Sequence, residues 1–315
     1  MKRFKNILVH ISTDEPLQSK LHAAVDLAHR NDAALTLFDV VPTLPLRRRI
    51  FSNETSQLDV EEAMAEDRLE RLGAIAAELD APRIETSVAH GTGYIEIIRR
   101  AMTHNHDLII TAPDEPRRVS FAGAATTMHL LRKSPVPVWV HSAGSIAAHG
   151  VAVAVGPFNT ERRDTGLNRT LMQIASSLAA QKEEPLHVIN VWRLHGESML
   201  RSSRSSFPHQ EVNQMLSKER REAHAEIDRL VAEVEPLPVP VEIHLAKGVP
   251  GQTVAQLVDE IAPTTLVMGT IARTGLSGMI IGNTAEQVLG KISTSVIAVK
   301  PDGFQSPVTN PIGPE

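Results

Sequence analysis

The residues between 268 and 286 have the composition of a loop that binds an anion. Four glycines occur there, and glycine lets main-chain amides approach an anion closely. Asn283 and Thr284 supply an N-cap and a hydroxyl at the start of a predicted helix, whose free N–H groups and dipole attract phosphate. Arg273 adds a positive charge. The candidate phosphate-binding residues are Gly269, Thr270, Ala272, Arg273, Gly275, Gly278, Gly282, Asn283 and Thr284.

The spacing of these glycines excludes two common phosphate-binding motifs. It matches neither the dinucleotide fingerprint G-x-G-x-x-G nor the Gly-Lys-Ser/Thr ending of a P-loop. Gly156 and Trp192 are added as candidates because each lies at the end of a predicted strand, where open α/β sheets bind ligands. Two structural alternatives stay open: the glycines serve only tight main-chain packing, and Trp192 belongs to a core or an interface.

A metal centre or a catalytic histidine is the second chemistry that the sequence could support. The chain has 14 histidines, and His90 and His129 could converge near Asp114 or Glu115. A metal site needs two or three converging ligands, and no short spacing such as H-E-x-x-H occurs here. The sequence therefore predicts no metal site and no catalytic residue, with His90 and His129 as the alternative candidates.

The elements that would position these residues alternate between strand and helix, and the pattern occurs twice. Short apolar runs of about five residues, separated by amphipathic helices, are typical of parallel sheets covered on both faces. The predicted strands cover 6–11, 34–41, 84–89, 107–111 and 136–140, then 151–155, 186–191, 239–246, 265–268 and 295–299. We expect an α/β protein with two tandem, doubly wound, five-stranded parallel sheets, in domains 1–143 and 147–301, followed by an extended tail at 302–315.

Composition restricts the class of protein further. The chain has 315 residues, with 32 Lys and Arg against 37 Asp and Glu, which gives a net charge of −5. This mild acidity argues against nucleic-acid or anionic-membrane partners. The absence of cysteine excludes disulfides, thiolate metal sites and a cysteine nucleophile, and it suits a reducing cytoplasm. Because no apolar run approaches the ~20 residues of a membrane span, we expect a soluble cytoplasmic protein.

The motifs resemble those of the universal stress protein family. The run Gly-Thr-x-x-Arg-Thr-Gly-x-Ser from Gly269, then Gly-Asn-Thr-Ala-Glu-Gln-Val from Gly282 and Val-Lys-Pro-Asp at 299–302, is similar to the tandem, E-type branch of that family. The run 129–139 in the first half is similar to the same branch. The sequence departs from the family's nucleotide-binding pattern at four positions. Ala272 replaces a glycine, Asn283 replaces a Ser or Thr, and Ser12 and Gly156 replace an aspartate.

The resemblance implies a Rossmann-like fold of the adenine nucleotide alpha hydrolase type and a nucleotide, ATP or AMP, in the second domain. The loops of Gly156 and Trp192 would border its base and ribose. In the first domain, the equivalent loop has lost most glycines and carries Asp114 and Glu115, whose charges oppose a phosphate. The family also pairs its closing strands, so we expect a pseudo-twofold intramolecular pair and leave a further homodimer open.

Three functions follow from these observations. The first is a stress-response and survival factor that binds a nucleotide or a similar anion in domain 2 for regulation rather than catalysis. The second is a slow ATPase or a histidine-dependent hydrolase, which needs a base within about 3 Å of the reacting water or hydroxyl. The third is a binder of a non-nucleotide, lipid-like small molecule in a domain 1 pocket.

Overall fold

The computed structural model describes residues 3–12, 17–43, 57–113, 126–142, 148–156, 166–202, 207–234, 236–270 and 281–309. Contacts along the main chain divide these residues into two compact units. Unit 1 contains the described residues up to 142 together with 295–309, and unit 2 contains those from 148 to 294.

Within the described residues, strands and helices alternate through both halves of the chain. The strands are β1 (Asn6–His10), β2 (Ala34–Val41), β3 (Arg83–His90), β4 (Leu108–Thr111), β5 (Val138–Val140), β6 (Val151–Ala154), β7 (Leu186–Trp192), β8 (Val241–Lys247), β9 (Thr265–Gly269) and β10 (Ser295–Val299). The helices are α1 (Gln18–Asn31), α2 (Gln57–Glu78), α3 (Gly93–Thr103), α4 (Thr126–Lys133), α5 (Leu167–Lys182), α6 (Glu197–Leu200), α7 (His209–Ala232), α8 (Pro250–Ile261) and α9 (Asn283–Leu289). The predicted α/β class is confirmed.

Unit 1 is built on a mostly parallel sheet with strand order β3-β2-β1-β4-β5-β10. β1 pairs in parallel with both β2 and β4, so the strand order reverses beside β1. Such a switch point opens a crevice at the carboxyl ends of the two strands, where ligands bind in folds of this type. β10 pairs antiparallel with β5, with Ile297 opposite Trp139. These are the two closing strands that the sequence predicts to pair.

Unit 2 repeats the first four positions of that order, as β8-β7-β6-β9. β6 pairs in parallel with β7 and with β9, which places the second switch point between β6 and β9. The predicted loop 268–286 follows β9 directly, so the fold places its first residues at this switch point.

Both sheets are buried along their central strands. Ile7, Leu8 and Val9 of β1 have 0% exposure, as do Val151 and Val153 of β6. Burial on both faces explains why these strands read as continuous apolar runs instead of alternating ones. Burial of each such side chain stabilises the fold by roughly 1.5–3 kcal/mol. The strands that form the switch points are therefore firmly held in the core.

Close helix packing positions the start of α9. A Cβ atom placed on Gly251 of α8 would lie 2.7 Å from the Cβ of Gln287 in α9. In unit 1, the equivalent atom on Gly93 of α3 would lie 3.2 Å from Thr126 Oγ1 at the start of α4. Both halves therefore use a small residue to bring together the two helices that follow their third and fourth strands.

Two local expectations are corrected. The serine- and arginine-rich composition of 195–209 predicts a loop, but this segment contains α6, where Glu197 bonds to Arg201 and to Lys247. The sequence predicts the last helix over 284–292, whereas α9 ends at Leu289, before the helix-breaking Gly290. The sequence also predicts a helix start at 14–16, which lies outside the described residues; α1 begins at Gln18.

The tail has no helix or strand between residues 301 and 309. It packs on unit 1, where Ser306 Oγ donates to the carbonyl of Lys133 and the Val308 side chain is buried. Lys300, at its start, donates from Nζ to the carbonyl of Leu131 at 2.6 Å. None of the described helices has the length and apolarity to cross a membrane.

Candidate functional site

The carboxyl edge of the sheet in unit 2 brings several predicted residues to one side of the unit. Gly156 follows β6, Trp192 ends β7 and Gly269 ends β9. Because β6, β7 and β9 are parallel neighbours, their carboxyl ends lie at the same edge. Ala272, Arg273, Gly275 and Gly278 lie outside the described residues, so their part in the loop stays a prediction.

Two asparagines that sequence reasoning missed hold the main chain at the end of β6. Asn168, in the first turn of α5, accepts a hydrogen bond from the Gly156 N–H at 2.9 Å. Asn190 Nδ2 donates to the carbonyl of Val155 at 3.0 Å. Gly156 has a φ of 110°, which favours glycine. A residue with a Cβ, such as the aspartate of the family's nucleotide-binding pattern, would be strained in this backbone conformation.

Asn190 carries an unpaired acceptor at this edge. Its side chain is 3% exposed, and Oδ1 has no hydrogen-bond partner among the described residues. Exchanging the oxygen and nitrogen of the Asn190 amide would place an oxygen against the Val155 carbonyl. The hydrogen bond from Nδ2 to that carbonyl therefore fixes the orientation of the amide. A buried acceptor without a donor costs free energy, so this atom suits a donor supplied by a ligand or by water. Asn190 is one of two polar residues in the otherwise apolar β7, together with His187, and this interruption was the available signal.

The main chain closes the predicted loop at its two ends. The Gly282 N–H donates to the carbonyl of Thr270 at 2.8 Å, and the Thr270 side chain is buried. Asn283 and Thr284 are exposed in the first turn of α9. The N-cap is Gly282, which has extended backbone and no capping side chain, so the expectation of an asparagine N-cap is corrected. The first amides of α9 therefore have no bond within the helix.

Gly269 is explained by packing. A Cβ atom at this position would lie 2.8 Å from Leu167 Cδ2 and 3.9 Å from Leu171 Cδ1. The glycine therefore makes room for α5 against β9, which is the structural role weighed for the loop glycines. Trp192 is partly exposed, and its carbonyl accepts the Gly248 N–H at 3.1 Å. This bond ties the end of β7 to the turn before α8.

The equivalent edge of unit 1 contains charged side chains of its own. Lys20 of α1 is 1% exposed and donates from Nζ to the carbonyl of His10. Arg68 of α2 donates to Asp39 Oδ1 at 2.9 Å and to the carbonyl of Val40 at 2.9 Å. These two cations lie against the ends of β1 and β2, where a nucleotide would have to approach.

Burial dominates the electrostatics of this cluster in unit 1. It lowers the pKa of His10 to about 3, with the charges of Lys20 and Arg68 acting in the same direction. It also raises the pKa of Asp39, although the Val40 N–H and Arg68 oppose that shift. His10 is therefore neutral at physiological pH, and its Nδ1 lies 3.2 Å from Thr111 Oγ1. Asp114 and Glu115 lie outside the described residues.

Comparison with known proteins identifies the family. The model of the universal stress protein family matches residues 3–141 and 164–300. The chain belongs to this family. It is 27% identical to Universal stress protein E of Photorhabdus laumondii over 318 residues, with 98% of each chain covered. It is also 27% identical to Universal stress protein E of Escherichia coli K12 over 321 residues, again with 98% of each chain covered.

A solved structure shows the same fold along the whole chain. A functionally unknown protein of Pseudomonas aeruginosa PAO1 matches with a TM-score of 0.67 at 22% identity, covering 96% of this chain and 94% of its own. Together with the two family matches, this confirms two universal stress protein domains in tandem with a Rossmann-like α/β fold.

The histidines predicted as alternative metal ligands take other positions in this universal stress protein. His90 is exposed at the end of β3, and His129 of α4 stacks on Tyr94 with ring centres 4.2 Å apart. Among the described residues, one group of three His, Asp or Glu side chains converges closely enough to hold a metal ion, and it consists of His187, Glu242 and His244. Sequence reasoning missed it, because it depends on the register between β7 and β8.

Proposed function

We propose that this universal stress protein is a regulatory stress-response factor that binds a nucleotide, ATP or AMP, or a similar anion at the carboxyl edge of unit 2. The observation that carries the proposal is the contrast between the two edges. In unit 2 the edge has an unpaired buried acceptor on Asn190. In unit 1 the corresponding strand ends are bonded by Lys20 and Arg68.

The proposed roles follow the chemistry of each group. Main-chain amides around Gly269, Gly282, Asn283 and Thr284 hold phosphate oxygens, since helix N-termini favour anions. Arg273 and the Thr284 hydroxyl assist, and the loops of Gly156 and Trp192 border the ribose and base. The loop residues Thr270, Ala272, Gly275 and Gly278 give the main chain its close approach.

Regulation rather than turnover is proposed because the side chains that bond the end of β6 are the amides of Asn168 and Asn190. A general base must gain a proton near neutral pH, and an amide does not. The carboxylate of Glu197 at this edge bonds to Lys247 and Arg201, and both bonds lower its pKa. A slow ATPase is the alternative, and neither it nor a lipid-like ligand in domain 1 is favoured by an observation. The cysteine-free composition supports a cytoplasmic location.

Calorimetric titration of the purified full chain with ATP and with AMP tests this function. The variant Gly282→Val is informative because Gly282 has ordinary extended backbone, with φ −67° and ψ 141°. Valine adopts that conformation without strain, so the change adds bulk only where phosphate is proposed to bind. Lys20→Met changes the equivalent edge of unit 1 and serves as the matched control.

We expect the unmodified chain and Lys20→Met to bind nucleotide with similar affinity, and Gly282→Val to bind at least tenfold more weakly. Unchanged affinity in Gly282→Val would reject the site. An unmodified chain that binds neither nucleotide would reject the proposed ligand class, and mass spectrometry of the co-purified ligand then identifies the alternative. Phosphate release that is linear with enzyme concentration would establish the ATPase instead.

A further inference from the structure

Two adjacent strands of unit 2 carry three metal-binding side chains on one face. His187 is the second residue of β7, and Glu242 and His244 are the second and fourth residues of β8. Successive side chains of a strand alternate between faces, so Glu242 and His244 share a face and Ile243 points away. The register sets His187 beside Glu242. The group lies near the amino ends of the strands, opposite the edge with Trp192.

The distances in this group match those of a small metal coordination sphere. His187 Nδ1 lies 3.1 Å from His244 Nε2 and 3.5 Å from Glu242 Oε2. The three ligand atoms all lie within 4.8 Å of one another. Zinc binds histidine nitrogen and carboxylate oxygen at about 2.0–2.2 Å, so two ligands at a tetrahedral angle are roughly 3.3–3.5 Å apart. Glu242 is 56% exposed and can move to complete the set.

The position of the His187 ring is fixed by the main chain around it. A Cβ atom on Gly150 would lie 2.7 Å from His187 Nε2, and Gly150 has a φ of 89° that favours glycine. The ring is buried, and burial lowers its pKa, with His244 and His149 acting in the same direction against Glu242. A neutral imidazole has the lone pair that a metal needs.

We propose that His187, Glu242 and His244 bind a divalent transition-metal ion of the zinc class in unit 2. Two imidazoles and one carboxylate suit such ions, whereas calcium and magnesium prefer oxygen ligands. Three protein ligands leave one tetrahedral position for water. The competing explanation for the short distance between the two imidazoles is a direct hydrogen bond from one ring nitrogen to the other, with no metal between them.

Cobalt titration of the full-length chain distinguishes the metal site from the hydrogen bond. The protein is prepared without a histidine tag, stripped with EDTA and titrated with Co²⁺, whose visible absorption reports tetrahedral coordination, and Zn²⁺ then displaces it. His244→Ala and Glu242→Gln remove ligands that are not buried, so the fold is retained. His224→Ala is the matched control, because exposed His224 of α7 also lies near a carboxylate, 2.9 Å from Asp228, in the same unit.

We expect one Co²⁺ per chain with tetrahedral absorption, displaced by Zn²⁺. His244→Ala should weaken binding by about 100-fold or more, because loss of an outer-sphere partner alone costs 10–100-fold. Glu242→Gln should weaken it by about tenfold or more, and His224→Ala should leave it within twofold. Absent tetrahedral absorption, or equal affinity in His244→Ala and the unmodified chain, would overturn the proposal. Nucleotide affinity is measured separately, so the two proposals fail independently.

Discussion

Acidification should destabilise unit 1 through a buried histidine. His106, just before β4, is 4% exposed, and its Nε2 lies 3.1 Å from Thr36 Oγ1 on β2. Burial lowers the pKa of His106 to about 4, and the charges of Arg100 and His104 act in the same direction. The unfolded chain has an ordinary histidine pKa near ~6.5. As pH falls below that value, the unfolded state gains a proton that the folded state does not accept.

The free energy of unfolding should therefore fall between about pH 6.5 and pH 4. Integrating the proton difference between pH 7 and pH 5 gives a loss of roughly 2 kcal/mol for this one side chain. His10, whose pKa is about 3, adds a loss in the same direction. His106→Gln removes the titration of His106 while keeping a polar group near Thr36, so the difference between variant and unmodified chain isolates His106.

Urea unfolding at pH 7 and pH 5 measures this difference. Trp139 is the tryptophan of unit 1 and Trp192 that of unit 2, so a Trp192→Phe background makes fluorescence report on unit 1. We expect the chain with His106 to lose roughly 1–2 kcal/mol more than His106→Gln over this range. An equal loss in both chains would refute the reasoning, because it would mean that His106 gains its proton equally in the folded and unfolded states.

Three further perturbations test the packing and charges of the fold. Gly251→Ala should lower the melting temperature, because the added Cβ would collide with α9. Gly73→Ala in α2 has nothing within 4 Å and should raise the free energy of unfolding by about 0.5–1 kcal/mol. Thermal unfolding should therefore show melting-temperature shifts of opposite sign, and shifts of the same sign would contradict this packing. Arg68→Met should lower the free energy of unfolding by roughly 3–5 kcal/mol, because it leaves Asp39 buried without its ion-pair partner. Adding Asp39→Asn should recover much of this loss in a double-mutant cycle. Losses that simply add in the double variant would contradict the importance of this ion pair. Burial lowers the pKa of Lys300 to about 7. The free energy of unfolding of the unmodified chain should therefore rise by roughly 2 kcal/mol between pH 7.5 and 9.5, and that of Lys300→Met should not. Urea unfolding measures both, and an equal pH dependence in the two chains would contradict the prediction.

The repeated strand–helix order could be predicted from the sequence, because strands buried on both faces consist almost entirely of apolar residues. The predicted bounds of 34–41 and 295–299 are those of β2 and β10. Both are strands whose residues are nearly all buried, so the apolar run ends where the strand ends. α6 was missed because its four residues are held by ion pairs to Lys247 and Arg201, and sequence periodicity does not record such contacts.

The candidate site was only partly predictable for the same physical reason. The position of Gly156, Gly282 and Trp192 at element ends could be predicted, because strand ends and glycines can be recognised in a sequence. Asn168 and Asn190 could not, since each acts by bonding the end of β6 from a different element. The His187 group likewise depends on how β7 and β8 are aligned, and that register is a property of the folded sheet.

Hydrogen exchange of the full chain with and without saturating ATP tests most directly whether one edge binds nucleotide and the other does not. We expect slower exchange for amides of residues 269–286 and around Trp192 when ATP is present. We expect no change for residues 9–12 and 17–21 in unit 1. Equal protection of the two edges, or protection confined to unit 1, would contradict a nucleotide site in unit 2 alone.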